Sequence, residues 1–142
     1  MILYLDTSSL IKLYVEESGS SEIENLVGQA TLVCTSVVAY PEARSALSRL
    51  CREGALTPDE HSLAKTDLDE DWPRYLAIEV SGAVWREAGE LAEKHALRGF
   101  DSLHLASFLY VLDEGLGESV QFSSFDGRLN GAAQAETTAR GL

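Results

Sequence analysis

Two hydrophobic rhythms alternate along this chain. Short apolar and β-branched runs occur at Ile2 to Leu5, Thr31 to Thr35, Tyr75 to Val80 and Ser119 to Ser123, the length and composition of buried strands. Between them apolar residues return every third or fourth position, the period of a helix packed on one face. Leu10, Leu13 and Tyr14 form such a set after the first run, and Ile23, Leu26 and Val27 form another within Ser21 to Gln29. A longer helix is predicted from about Val38 to Glu53, with Ser36 as a candidate cap and Pro41 near its first turn. Thr57-Pro58-Asp59-Glu60 is a capping box with proline at the first helical position, so a fourth helix starts there and ends at Trp72-Pro73. Ser81 opens a fifth helix running to about His95. Arg98-Gly99-Phe100 reads as a turn, and Asp101 starts a sixth helix that Gly115 and Gly117 stop. Asp126 begins a last short helix, and the small, polar tail from Gln134 is expected to fray. Strands alternating with helices predict an α/β fold: a parallel sheet covered by helices on both faces. At 142 residues, without repeat or low-complexity linker, the chain reads as one domain.

Charge changes the picture. The chain carries 23 acidic against 11 basic residues, a formal net charge of −12. That argues against nonspecific nucleic-acid binding through phosphate neutralisation. If such a protein handles nucleic acid, metal ions must bridge carboxylate and phosphate. No apolar run approaches the roughly 20 residues of a membrane span. The chain opens on a strand rather than a basic leader, so no signal peptide is expected and a cytoplasmic setting is. Cys34 and Cys51 fit that setting as small apolar side chains rather than a disulfide.

Four acids fall where strands end or helices begin. Asp6 follows the first strand, Glu42 lies near the start of the third helix, Asp101 starts the sixth, and Asp126 follows the last strand. In a parallel sheet these places share one edge, where ligands sit in open α/β sheets. Each aspartate alone is explained as well by helix capping and the helix dipole. Glu42 is not. Val38, Ser45 and Ala46 make its helix face small and mostly apolar, and a buried carboxylate needs a partner. No Lys or Arg is obviously placed to serve it. A divalent cation with oxygen ligands would, and Mg²⁺ or Mn²⁺ suits carboxylate and water.

These segments carry a resemblance. The opening strand with Asp6, Ser8, Leu10, Lys12-Leu13-Tyr14 and Glu16 forms one block. Glu42 with Arg49 forms a second, Leu97-Arg98-Gly99-Phe100-Asp101-Ser102-Leu103-His104-Leu105-Ala106 a third, and Phe122-Ser123-Ser124-Phe125-Asp126-Gly127-Arg128-Leu129 a fourth. Together, in this order and over nearly the whole chain, they resemble the PIN domain, and specifically the VapC-type ribonuclease toxins of toxin–antitoxin pairs. The resemblance implies a three-layer α/β/α fold around a parallel sheet of four strands. A fifth is left open, because the segment after Ala133 lacks the usual apolar run. It implies a metal-dependent endoribonuclease in which Asp6, Glu42, Asp101 and Asp126 are catalytic and hold one or two Mg²⁺ or Mn²⁺ ions. Ser8, Ser124 and Arg98 become candidates for substrate contact. Ser124 stands where threonine is common, which keeps the hydroxyl, and helix capping explains both serines equally well. Expected partners are RNA, a cognate VapB-type antitoxin and a second copy of the chain in a homodimer.

Other residues read more plainly. His104 is taken as a packed helix residue, and His61 and His95 as surface. Trp72 and Trp85 are core or interface positions. The run Asp67, Asp69, Glu70, Asp71 is a solvated helix face. A phospho-acceptor domain also gathers acids at strand ends but needs a lysine after a late strand, whereas Lys12, Lys65 and Lys94 all lie in predicted helices. A Gly-Lys phosphate loop is absent, which removes a nucleotide triphosphatase. A catalytically silent PIN-like module that only binds a protein is the remaining alternative.

Overall fold

A computed structural model describes residues 1–142. In chain order the elements are β1 (Ile2–Leu5), α1 (Thr7–Leu10) with a 3₁₀ turn at Ile11–Leu13, α2 (Ser20–Gln29), β2 (Leu32–Ser36), α3 (Ala39–Arg52), α4 (Pro58–Asp71) with a 3₁₀ turn at Trp72–Arg74, β3 (Leu76–Ile78), α5 (Gly82–His95), α6 (Gly99–Glu114), β4 (Val120–Ser123) and α7 (Gly127–Ala139). All four strands are parallel, in the order β3-β2-β1-β4.

β1 shows why the sheet has two covered faces. All four of its side chains are buried. Alternation sends Ile2 and Tyr4 to one face, where they meet Val84 and Ala88 of α5, Leu105 and Phe108 of α6, and Leu129 and Ala132 of α7. Leu3 and Leu5 go to the other, against Leu10, Ile23 and Ala39 of α1, α2 and α3. A third cluster of Ala43, Leu47, Ala64 and Leu68 locks α3 to α4. Truncating Leu3 or Leu5 to Ala should cost ~2–5 kcal/mol, because a close-packed core collapses only partly around the cavity. The capping box forms as expected: Thr57 Oγ1 accepts the Glu60 N–H at 3.1 Å, and Glu60 Oε1 accepts the Thr57 N–H at 2.9 Å.

Register aligns the carboxyl ends of the strands. Leu5 is opposite Ser123, and the Thr35 hydroxyl of β2 donates to the Leu5 carbonyl at 2.7 Å. The strand ends therefore align. The chain leaves β1 toward β2 and β3, then returns to its other side as β4. The β1–β4 boundary is thus the switch point where α/β sheets open a crevice.

Three expectations are corrected. α6 begins at Gly99, with Arg98 at the cap position, so Asp101 sits inside the first turn rather than opening the helix. No fifth strand forms, and the tail is not frayed through its length: α7 continues to Ala139. Its Ala132 and Ala133 pack into the core, and Glu136 is only 6% exposed. Alanine favours helix over strand, and its small side chain lets the helix approach the core closely. Third, His95 is not a surface residue; its Nε2 lies 2.7 Å from Glu136 Oε1. Trp72 packs edge-on against Tyr40 and Tyr75, while Trp85 is half exposed. Asp71, at the end of the acidic run, accepts the Tyr14 hydroxyl at 2.9 Å. Both cysteines are free thiols. No helix is long and apolar enough to cross a membrane.

Candidate active site

A cleft of about 690 Å³ opens at the carboxyl ends of β1 and β4, and its walls include Asp6, Glu42, Asp101 and Asp126. Asp6 is the deepest, 4% exposed. It caps α1, with Oδ1 accepting the Ser9 N–H at 3.0 Å and the Ser8 hydroxyl at 2.7 Å. Oδ2 accepts the Ser124 hydroxyl at 2.6 Å, a bond that crosses the switch point from the end of β4. Cap and cleft residue are therefore one and the same. Burial raises the carboxyl above the ordinary aspartate range, and the bonds from Ser124, Ser8 and Ser9 pull it only part of the way back. No Lys or Arg pairs with it.

Asp126 has the same double use. Its Oδ1 caps α7 by accepting the Leu129 N–H at 2.9 Å, while Oδ2 lies 4.0 Å from an Arg98 nitrogen. Asp101 caps nothing. As the third residue of α6 it accepts Arg98 Nε–H on Oδ2 at 3.1 Å. The capping explanation, open for Asp101 on sequence alone, is removed. Arg98 is 84% exposed at its side chain, so the guanidinium spans two acids at the cleft mouth with its other side in water. The charge of Asp101 and its hydrogen bond raise the basicity of Arg98 further.

Glu42 stands on the facing wall, in the first turn of α3. Oε1 accepts the Thr7 hydroxyl at 2.7 Å and lies 2.9 Å from His104 Nε2, while Oε2 has no partner in the chain. Burial works to raise this carboxyl, but the bonds from His104 and Thr7 outweigh it and hold it below the ordinary glutamate range. The partner sought for Glu42 is thus a histidine and a threonine, not a base from the same helix. His104 is packed, at 2% exposed, as its place on α6 implied, yet it faces the site.

Ser8 and Ser124 neither cap a helix nor stand free. Ser8 accepts the Phe125 N–H at 3.0 Å and Ser124 accepts the Asp126 N–H at 3.0 Å, while both donate to Asp6. They are cross-braces between the loops that follow β1 and β4. Two exposed rings flank the mouth, Phe100 and Phe125. Phe125 is seated by Gly19, whose φ of 94° suits glycine and whose missing Cβ would lie 2.8 Å from the ring. Neither ring was expected at the site, nor was Thr7, and a lone aromatic or hydroxyl carries no local sequence signal.

The four acids share the cleft without closing into a cage: no group of three His, Cys, Asp or Glu side chains is arranged to hold a metal by itself. Mg²⁺ does not require one. It binds through one or two carboxylates and keeps several waters. A buried Asp6 without a cationic partner, and a free Oε2 on Glu42, are hard oxygen donors of that kind. The residues fit such an ion.

A parallel sheet whose switch point is lined with acids defines a class of protein, and a model of the PIN domain matches residues 3–111. The chain belongs to the PIN-domain family, in its VapC group. It is 39% identical over 134 residues to Ribonuclease VapC45 of Mycobacterium tuberculosis (strain CDC 1551 / Oshkosh), covering 94% of this chain and 90% of that protein. Ribonuclease VapC3 of Pyrobaculum aerophilum is 33% identical over 126 residues, covering 83% of this chain and 94% of that one. The fold is also that of Mycobacterium tuberculosis VapC20, a toxin that cleaves the sarcin-ricin loop. There the TM-score is 0.66 at 19% identity, over 92% of this chain and 94% of that one. Rickettsia felis VapBC2, solved with a DNA fragment from its promoter, matches with a TM-score of 0.55 at 13% identity, over 87% of this chain and all of that one.

Proposed function

We propose that this chain is a metal-dependent endoribonuclease toxin that hydrolyses RNA phosphodiester bonds and is restrained by a VapB-type antitoxin. The observation that carries the reading is Asp6: a buried carboxylate at the switch point, braced by hydroxyls and an amide, with no base paired to it. Asp6, Glu42, Asp101 and Asp126 would hold Mg²⁺ or Mn²⁺ directly or through water. Bound there, such an ion would supply a Lewis acid that lowers the pKa of water and stabilises negative charge developing on the phosphate oxygens.

The chain's own groups do the rest. Ser8 and Ser124 hold Asp6 in one orientation. Arg98, exposed and only loosely engaged by Asp126, is placed to swing from carboxylate to phosphate. Phe100 and Phe125 offer exposed rings on which bases of a single strand can stack, worth about 1–3 kcal/mol each. Because the chain is so acidic, the ion must also serve RNA binding. The same cleft suits an arginine or lysine from an antitoxin, as its hold on Arg98 suggests. The VapBC2 assembly supports such a partner, and the same reading takes in a homodimer and a cytoplasmic setting, with which two unbridged cysteines agree.

Cleavage of mixed-sequence single-stranded RNA by the full chain tests this. Mn²⁺ or Mg²⁺ should switch it on and excess EDTA abolish it. Undiminished cleavage in EDTA would sink the metal mechanism. Cleavage under no condition would favour the silent binding module, against which the intact set of four acids weighs.

A further inference from the structure

Glu42 is held by more than its neighbours in sequence. Three elements meet at its carboxylate, Thr7 from α1, His104 from α6 and Glu42 itself from α3, and a fourth, Tyr4 of β1, stands behind the histidine. Tyr4 is fully buried, its ring stacked on Phe122 and edge-on to Phe108. Its hydroxyl lies 2.9 Å from His104 Nδ1. On the other side of the same imidazole, Nε2 lies 2.9 Å from Glu42 Oε1 and 3.0 Å from Thr7 Oγ1.

The donor count assigns the protons. An ionised carboxylate only accepts, so His104 Nε2 must carry a hydrogen to bond Glu42. In a neutral imidazole Nδ1 is then an acceptor, and the Tyr4 hydroxyl is its donor. Thr7 spends its single hydrogen on Glu42 Oε1, and its lone pairs face the same Nε2–H. Both donors therefore land on one oxygen of Glu42. The carboxylate is pinned by Oε1, and Oε2 is left without a partner in the chain. We propose that Tyr4 and His104 are positioning residues for the nuclease reaction: Tyr4 fixes the imidazole tautomer, and His104 then holds Glu42 so that one carboxylate oxygen is presented to the cleft.

This inference rests on the metal-dependent reading of the cleft given above. It adds two residues that touch neither substrate nor ion. Groups that orient ligands from behind are costly to change, typically 10–100-fold in affinity or activity.

Two amides separate positioning from packing. His104→Gln places an amide nitrogen near the former Nε2 and keeps a donor for Glu42. His104→Asn reaches only the Nδ1 position, so it can satisfy Tyr4 but not Glu42. Both are polar, smaller than or similar in size to histidine, and able to bond inside the core. The assay pairs RNA cleavage in Mn²⁺ with calorimetric titration of Mn²⁺ into the RNA-free full chain, alongside thermal melts. His104→Gln should stay within a fewfold of the parent. His104→Asn should lose about 10–100-fold in kcat and weaken Mn²⁺ binding about tenfold, with KM for RNA unchanged. Tyr4→Phe should lose less, since Nε2 can still donate when the tautomer is no longer fixed.

A cycle with Glu42→Gln completes the test. If His104 acts through Glu42, His104→Asn should cost nothing further once Glu42 is Gln. Equal activity and Mn²⁺ affinity in the Asn and Gln variants, or full additivity with Glu42→Gln, would overturn the positioning role. A Glu42→Gln protein as active as the parent would instead overturn the reading of the cleft on which the inference rests.

Discussion

Two buried carboxylates in this molecule sit in opposite electrostatic worlds. Asp6 at the switch point is 4% exposed and Glu136 on α7 is 6% exposed. Glu136 meets Lys94 Nζ at 2.7 Å, His95 Nε2 at 2.7 Å and an Arg140 guanidinium nitrogen at 3.2 Å. Bonds from Lys94 and His95 hold its carboxyl down at about 2 despite burial. Asp6 meets hydroxyls and an amide, and burial pushes its carboxyl up. The difference separates structure from site. A carboxylate surrounded by cations is satisfied, and its charge is used to bolt α7 to α5. On the function proposed above, one that is buried, ordered and unpaired by any base is held for an ion the chain does not itself supply.

The sharpest way to break that comparison is to neutralise each acid. Asp6→Asn keeps an Oδ1 for the Ser9 amide and a side chain that Ser124 can still bond, so the fold should lose no more than ~1 kcal/mol. Mn²⁺-dependent cleavage should fall on the order of a hundredfold to a thousandfold, the scale of removing a charge from a preorganised site. Normal cleavage by the Asn variant, with the melt unchanged, would place Asp6 with Glu136 as a structural acid. Asp101→Asn comes next. It caps nothing, so the melt without metal should hold or rise as repulsion among the acids eases, while activity falls about a hundredfold. Added Mn²⁺ should stabilise this variant less than the parent, since ligand binding to the folded state raises stability through affinity.

Glu136→Gln should do the reverse. Removing the carboxylate leaves Lys94 and His95 facing a neutral amide, while Arg140 keeps Asp113 and Glu87. Because Lys94 is largely exposed, the loss should be about 2 kcal/mol rather than the full penalty of a buried pair. A thermal melt should fall by roughly 4–8 °C, with kcat per folded molecule unchanged. The smallest effect is in pH. A carboxyl held down at about 2 in the fold and near its ordinary 4.5 when unfolded contributes stability above that ordinary value. The contribution disappears as pH falls from about 5 toward 2. Glu136→Gln should therefore flatten this acid limb of a denaturation curve and leave the neutral range parallel to the parent. An unchanged acid limb would show that Glu136 is not the clamp.

Much of this could be read locally. The capping box at Thr57 and Glu60, the four strands and the placement of Asp6 and Asp126 before helices all lie within a few residues, where propensity and hydrogen bonding act directly. The misreadings lie where distant partners decide. The chain from Gln134 looks frayed until Lys94 and His95 arrive from α5 to hold Glu136.

The sequence by itself determined the alternation of strands and helices, the parallel sheet that follows from it, and the presence of acids at the strand ends, because periodicity and capping are properties of neighbouring residues. Which groups each acid meets was set by the tertiary structure alone. Thr7 lies 35 residues from Glu42, and His104 lies 62 from it. Nothing in the spacing of those three announces that two donors will meet on one carboxylate oxygen. Packing of α6 and α3 against β1 brings them together. The low dielectric created by that packing then makes a bonded carboxylate cheap to ionise and an unpaired one costly.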